Sequence, residues 1–127
     1  MIDISSLVYS RLVNEETMKK HLKGSSTTRN DTPPVFPYLY MKTLGQPTSS
    51  SDLQNHQCAV NAAFEITIYD STSATKARQL IFHAAELMRQ MGFTMNYGPI
   101  EIDRASTTEA YRWIARFKRT YCEGDII

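Results

Sequence analysis

Two acidic side chains, Glu101 and Asp103, stand two residues apart in an extended stretch, which places both on one face of a strand. Such a pair could hold Mg²⁺ for a small metal-dependent nuclease. No lysine follows at nuclease-like spacing, and alternating charges on a solvated strand face account for the same residues. The three histidines, His21, His56 and His83, are dispersed, without the H-x-x-x-H spacing of a helical metal site. His83 and Glu86, three apart, read as a surface pair. Cys58 and Cys122 lack a C-x-x-C partner and read as two reduced thiols of a cytosolic chain. There is neither a G-x-S-x-G turn nor a glycine-rich phosphate loop, since the five glycines are scattered singly. The sequence therefore names no catalytic, cofactor-binding or metal-binding residue. Its one non-random charge cluster is basic: Arg112, Arg116 and Lys118 alternate onto one strand face, with Arg119 on the other. That face suits contact with phosphates or an acidic neighbour, and a solvated sheet face is the plainer reading.

The elements that carry these residues follow from hydrophobic periodicity. Residues 58–69 alternate: Cys58, Val60, Ala62, Phe64, Ile66 and Ile68 are all apolar, while Asn61, Glu65 and Thr67 fall between them. That is a strand with one buried face. A Ser/Thr turn leads into a helical stripe of Ala77, Leu80, Ile81, Ala84, Leu87, Met88 and Met91. Ser71 or Ser73 can cap its start, and Gly92 sits where a glycine ends a helix. Upstream, Ile4, Leu7, Val8 and Leu12 predict an opening helix with a kink or restart at Asn14, read as a new N-cap, and a stop at Gly24. Residues 24–34 form a polar connection ending in two prolines. Residues 36–44, rich in aromatics, read as a strand. Residues 93–103 make another, broken at Gly98 and Pro99. In residues 108–121, Tyr111, Trp113, Ala115 and Phe117 face one way and the basic row the other. The expected fold is one α+β domain over 1–127. It has a mostly antiparallel four-stranded sheet with two helices on one face, in the order α-β-β-α-β-β.

Composition bounds the rest. A net charge of +1 argues against a large electrostatic commitment to nucleic acid or membrane, and no apolar run is long enough to span a bilayer. Strand length says more. A 127-residue globule is roughly 35 Å across, whereas a strand over residues 56–69 extends about 46 Å. Either such strands bend sharply or their ends project, and ends that project leave edges for a partner to cover. Between two such strands lies an arm, residues 45–55, with the run Thr48, Ser49, Ser50, Ser51 and Leu53 as its single large apolar side chain. A connection of that length is functional or mobile. The expected partner contacts are Ser49, Ser50, Ser51 and Leu53 of the arm and the row Arg112, Arg116 and Lys118.

Taken in order, several features resemble the small tail-terminator proteins of long-tailed bacteriophages, also called tail-completion or tail-to-head joining proteins. They are the opening helix over 2–12, the Phe36-Pro37-Tyr38 start of the first strand, and the strand Ala63 to Asp70. After these come the Ser/Thr turn into the helix over 74–91, Met91-Gly92-Phe93 at its end, and the aromatic-basic strand over 111–121. The resemblance implies a virion structural protein without enzymatic activity or cofactor. It would be assembled in the host cytoplasm and sit at the head-proximal end of the tail. Its partners would be copies of itself in a ring, typically a hexamer, the tail tube protein and the head connector or neck proteins, with a passing contact with DNA and no membrane. A head-completion or adaptor protein of the neck fits the same residues. A small nuclease acting through Glu101 and Asp103, or a DNA-binding module using the basic row, are the readings from other classes.

Overall fold

The alternation of residues 58–69 becomes one continuous strand, β4 (Gln57–Asp70), in the computed structural model, which describes residues 2–27, 35–54, 57–71, 73–102 and 111–127. Val60, Ala62, Phe64, Ile66 and Ile68 are fully buried on one side, while Asn61 on the other is exposed. Against the buried side lies a helix over Ala74–Gln90, and its predicted stripe supplies the contact: Ala77, Leu80, Ile81, Ala84, Met88 and Met91 are buried, Leu87 half-buried. Ser73 rather than Ser71 caps this helix, its Oγ accepting the Lys76 N–H at 3.2 Å. At the other end Gly92 takes φ +86°, and the N–H groups of Gly92 and Phe93 return to the carbonyls of Arg89 and Met88. That double closure needs a left-handed residue, which is why a glycine stands there. It also delivers Phe93 to the core, where its ring centroid lies 5.7 Å from that of Phe64.

Four long strands match those expected. β2 (Tyr38–Gly45) runs antiparallel to residues 63–69 of β4, and β6 (Tyr111–Cys122) covers the opposite edge of β4 from Ala59 to Asp70. β5 (Thr94–Ile102) pairs with β6, its ladder shifting between Tyr97 and Ile100. The shift is made by Gly98, whose φ is +81° and whose missing Cβ would sit 2.4 Å from the Ile114 carbonyl oxygen.

The four-stranded, two-helix expectation is corrected in three places. First, two short strands join the sheet: β1 (Gly24–Ser26), parallel to β2, and β3 (Thr48–Ser51), antiparallel to residues 57–60 of β4. The sheet is therefore mixed and six-stranded, in the order β1-β2-β4-β6-β5 with β3 beside β4. Second, the opening helix is two helices, α1 (Ser5–Val13) and α2 (Glu16–His21), so three helices are present, with Ala74–Gln90 as α3. Asn14 closes α1 by bonding to the Ser10 carbonyl, and the cap of α2 is Glu15, whose carboxylate accepts the Met18 N–H at 3.0 Å. Third, Gly24 does not end a helix. It begins β1 where a Cβ would meet Val35 at 2.7 Å and Tyr38 at 2.8 Å, so its smallness lets the strand approach β2.

All three helices feed one core. Ile4, Val8, Leu12 and Met18 join Leu39, Met41, Phe64, Ile66, Ile68 and Phe117 and the α3 stripe. The other sheet face carries Tyr40, Lys42, Glu65, Arg116, Lys118 and Thr120, all at least partly exposed. Cys58 and Cys122 lie on opposite faces by strand parity and are in no disulfide.

Candidate interaction surface

The arm is built from the bulge outward. Gly45, at φ +148°, absorbs a register shift in β2, after which Pro47 accepts the Asn61 N–H at 2.9 Å and the chain continues as β3. The expected extended arm thus contains a paired strand, because β4 is longer than β2 can cover and its first residues need a partner. Among the described residues β3 pairs with β4 alone, its register shifts twice within four residues, and every one of those residues is exposed. Ser49, Ser50 and Ser51 lie in it. Leu53, in the turn beyond, has a relative exposure of 107 %, so none of the described residues covers it.

Two glutamines tie the root of the arm to the segment before α1. Gln46 accepts the Ile4 N–H through Oε1 at 3.0 Å and donates from Nε2 to Asp3 Oδ1 at 2.8 Å. Gln57 accepts the Ile2 N–H at 2.6 Å and donates to Thr48 Oγ1 at 2.6 Å. Asp3 also accepts the N–H and hydroxyl of Ser5. The Gln46 bond, followed by those from Ser5, holds its carboxyl at about 2, below the usual 3.8.

The basic row is placed as its parity implies, and its charges are partly spent. Arg116 donates from Nε to Glu65 Oε2 at 2.7 Å and lies 4.9 Å over the Tyr97 ring. Arg112 is half-buried and Lys118 exposed. Arg119, on the helix side, donates to the Met91 carbonyl at 2.5 Å and so helps to close α3. The row and the arm do not form a single patch. Arg112 stands opposite Tyr69, at the far end of β6, whereas Lys118 stands opposite Ala63, close to the arm's root. A shallow concavity of about 790 Å³, lined by Gly45, Pro47, Asn61, Ala63, Lys118 and Thr120 among others, joins that root to Lys118.

The candidates for chemistry are dispersed. Glu101 is exposed on β5, while Asp103 and His56 lie outside the described residues. The expected surface pair of His83 with Glu86 gives way to other partners for each. His83 Nε2 lies 2.8 Å from Glu15 Oε2, joining α3 to α2, and Glu86 pairs with Arg89. Burial pushes the Glu15 carboxyl up. The hydrogen bonds from His83 and from the Met18 and Thr17 N–H groups, with the charge of His83, outweigh it and leave the group below its usual value. Among the described residues no three His, Cys, Asp or Glu side chains converge as a metal site. No described helix is long and apolar enough to cross a membrane.

One surface went unread in the sequence. Phe82 and Met95 are exposed where α3 meets β5, with Phe82 edge-on to Trp113 at 6.2 Å. Its signal was Phe82, an aromatic residue outside the buried stripe of its helix.

No known protein family matches the chain, and no curated protein sequence does. Among solved structures it is similar to that of the bacteriophage SPP1 gp17 protein, with a TM-score of 0.52 and 13% sequence identity, over 95% of this chain and 91% of that one. At that identity the likeness is one of fold.

Proposed function

We propose that this chain is a structural protein of a bacteriophage tail: a tail terminator that assembles as a ring on the head-proximal end of the tail tube, stops its polymerisation and presents a surface to the head connector. The observation that carries the reading is the fold likeness to a bacteriophage protein over nearly the whole of both chains. It agrees with the order of features by which the sequence resembles the tail-terminator family. The work proposed is assembly rather than catalysis. An arm strand that among the described residues pairs only with β4, followed by an exposed leucine, suits neighbours in a closed ring. A ring is typically of six copies in the family, and its partners would be the tube protein on one side and the neck proteins on the other.

Negative-stain images of tail tubes grown with and without the protein test this. A density capping one end, with tubes that stop lengthening, is the expected result. Tubes that grow unchanged and uncapped would refute it, and attachment to connector particles instead of tubes would move the protein to the neck.

A further inference from the structure

β3 is a strand whose own side chains do not fix its position. Its residues, Thr48–Ser51, are small, polar and exposed, so no buried face selects which residues of β4 they oppose. The ladder they form shifts twice. Two glutamines, one at each root of the arm, add what the strand lacks, and both do so by gripping the main chain in front of α1. Gln46 accepts the Ile4 N–H at 3.0 Å and Gln57 the Ile2 N–H at 2.6 Å, across 42 and 55 residues of chain. Each amide then donates onward, Gln46 to Asp3 and Gln57 to the hydroxyl of Thr48, the first residue of β3. The gripped segment is itself anchored, since Ile4 is buried in the core and Ile2 packs against that core half-buried. The direction of the Gln57 bond matters. Thr48 stands opposite Val60, whereas Gln57 stands opposite Ser51. The bond therefore runs obliquely along the ladder and resists sliding, the displacement that a strand without a buried face otherwise leaves open.

We propose that residues 2–4 are a strap that sets the register of the arm. The device has two states. In the clasped one both glutamines are engaged, and in the released one β3 is free to slip along β4 or to leave it. The inference stands apart from the tail reading, because it concerns how an arm of this composition keeps one position. One side chain, Gln57, bonds both the strap and β3, so the coupling runs in both directions. Loosening the strap loosens β3, and a change on β3 at Thr48 is felt at residues 2–4 in front of α1.

The test compares amide exchange by NMR in the full chain and three variants, Gln57→Ala, Thr48→Val and Ser50→Ala. All three positions are half-buried or exposed, and unchanged protection of residues 62–68 shows that each variant keeps its core. Gln57→Ala is expected to speed exchange of the amides of 49–51 about 5-fold, the factor of one net hydrogen bond, and to weaken the cross-strand NOE between Thr48 and Val60. Thr48→Val keeps the shape and removes the hydroxyl that Gln57 bonds, so the Ile2 amide is expected to exchange faster by a similar factor. Ser50→Ala lies on the same strand without a bond to either glutamine and should leave Ile2 and Ile4 as in the wild type. Wild-type exchange in β3 of Gln57→Ala, or at Ile2 of Thr48→Val, would overturn the proposal. So would a Ser50→Ala that moves Ile2 as far as Thr48→Val does, since the arm would then loosen without the clasp.

Discussion

Replacing Phe64 by alanine tests the organisation of the core most directly. The side chain is fully buried in the middle of β4, packed on Phe93 and opposite Phe117 on the neighbouring strand. Strands and α3 enclose it, so the vacated space has little freedom to collapse. The loss then falls at roughly 3–5 kcal/mol, a large part of the ~5–15 kcal/mol that holds a domain of this size together. At about 3–5 °C per kcal/mol for a chain of this length, the melting temperature should fall by roughly 10–25 °C. The neighbouring Glu65→Ala provides the control. Its carboxylate meets Arg116, whose side chain keeps 44% of its surface exposed, so the pair is worth about 0–1 kcal/mol and the guanidinium left behind can return to water. Circular dichroism melts of the two variants and the wild type decide the matter. Equal melting temperatures for Phe64→Ala and Glu65→Ala would mean that the buried face of β4 is wrongly assigned.

Three other outcomes are expected. Gly98→Ala should destabilise by at least about 2 kcal/mol, since it combines a positive φ with a Cβ driven into the Ile114 carbonyl; a melt unchanged from wild type would contradict the β5 geometry. Asp3 should titrate near 2 by NMR. Because its folded value lies below the unfolded 3.8, the stability it contributes is complete above about pH 4 and fades as the pH falls toward 2; a midpoint near 4 would break the link to Gln46. Amides of β3 should exchange with solvent much faster in the free subunit than those of residues 62–68, and slow on tail assembly; strong protection before assembly would show an arm that needs no partner.

What the sequence made legible is what periodicity encodes. Residues 58–69 and 77–91 have a buried and an open side, so their alternation and stripe named the right strand, the right helix and the faces that meet. The parity of 111–121 placed the basic row and separated Arg119 from it. β1 and β3 left no such trace. Gly24–Ser26 and Thr48–Ser51 are small and polar, with no buried side chain to alternate, and they become strands because a longer neighbour offers backbone groups to pair. The junction of α1 and α2 turned on one residue: both Asn14 and Glu15 can cap, and Asn14 was already engaged with Ser10. The exposed surface where α3 meets β5 depends on how the Gly98 irregularity and the end of α3 converge, which residue spacing alone does not describe.

One strand runs from the arm into the centre of the sheet without a break, and this has a mechanical consequence. A pull on the arm tip is directed along β4, which from Ala59 to Asp70 is laced to β6 by 12 consecutive residue pairs. Tension in that direction shears the ladder as a whole instead of peeling it one rung at a time. Extraction of a subunit by its arm would have to break those rungs together.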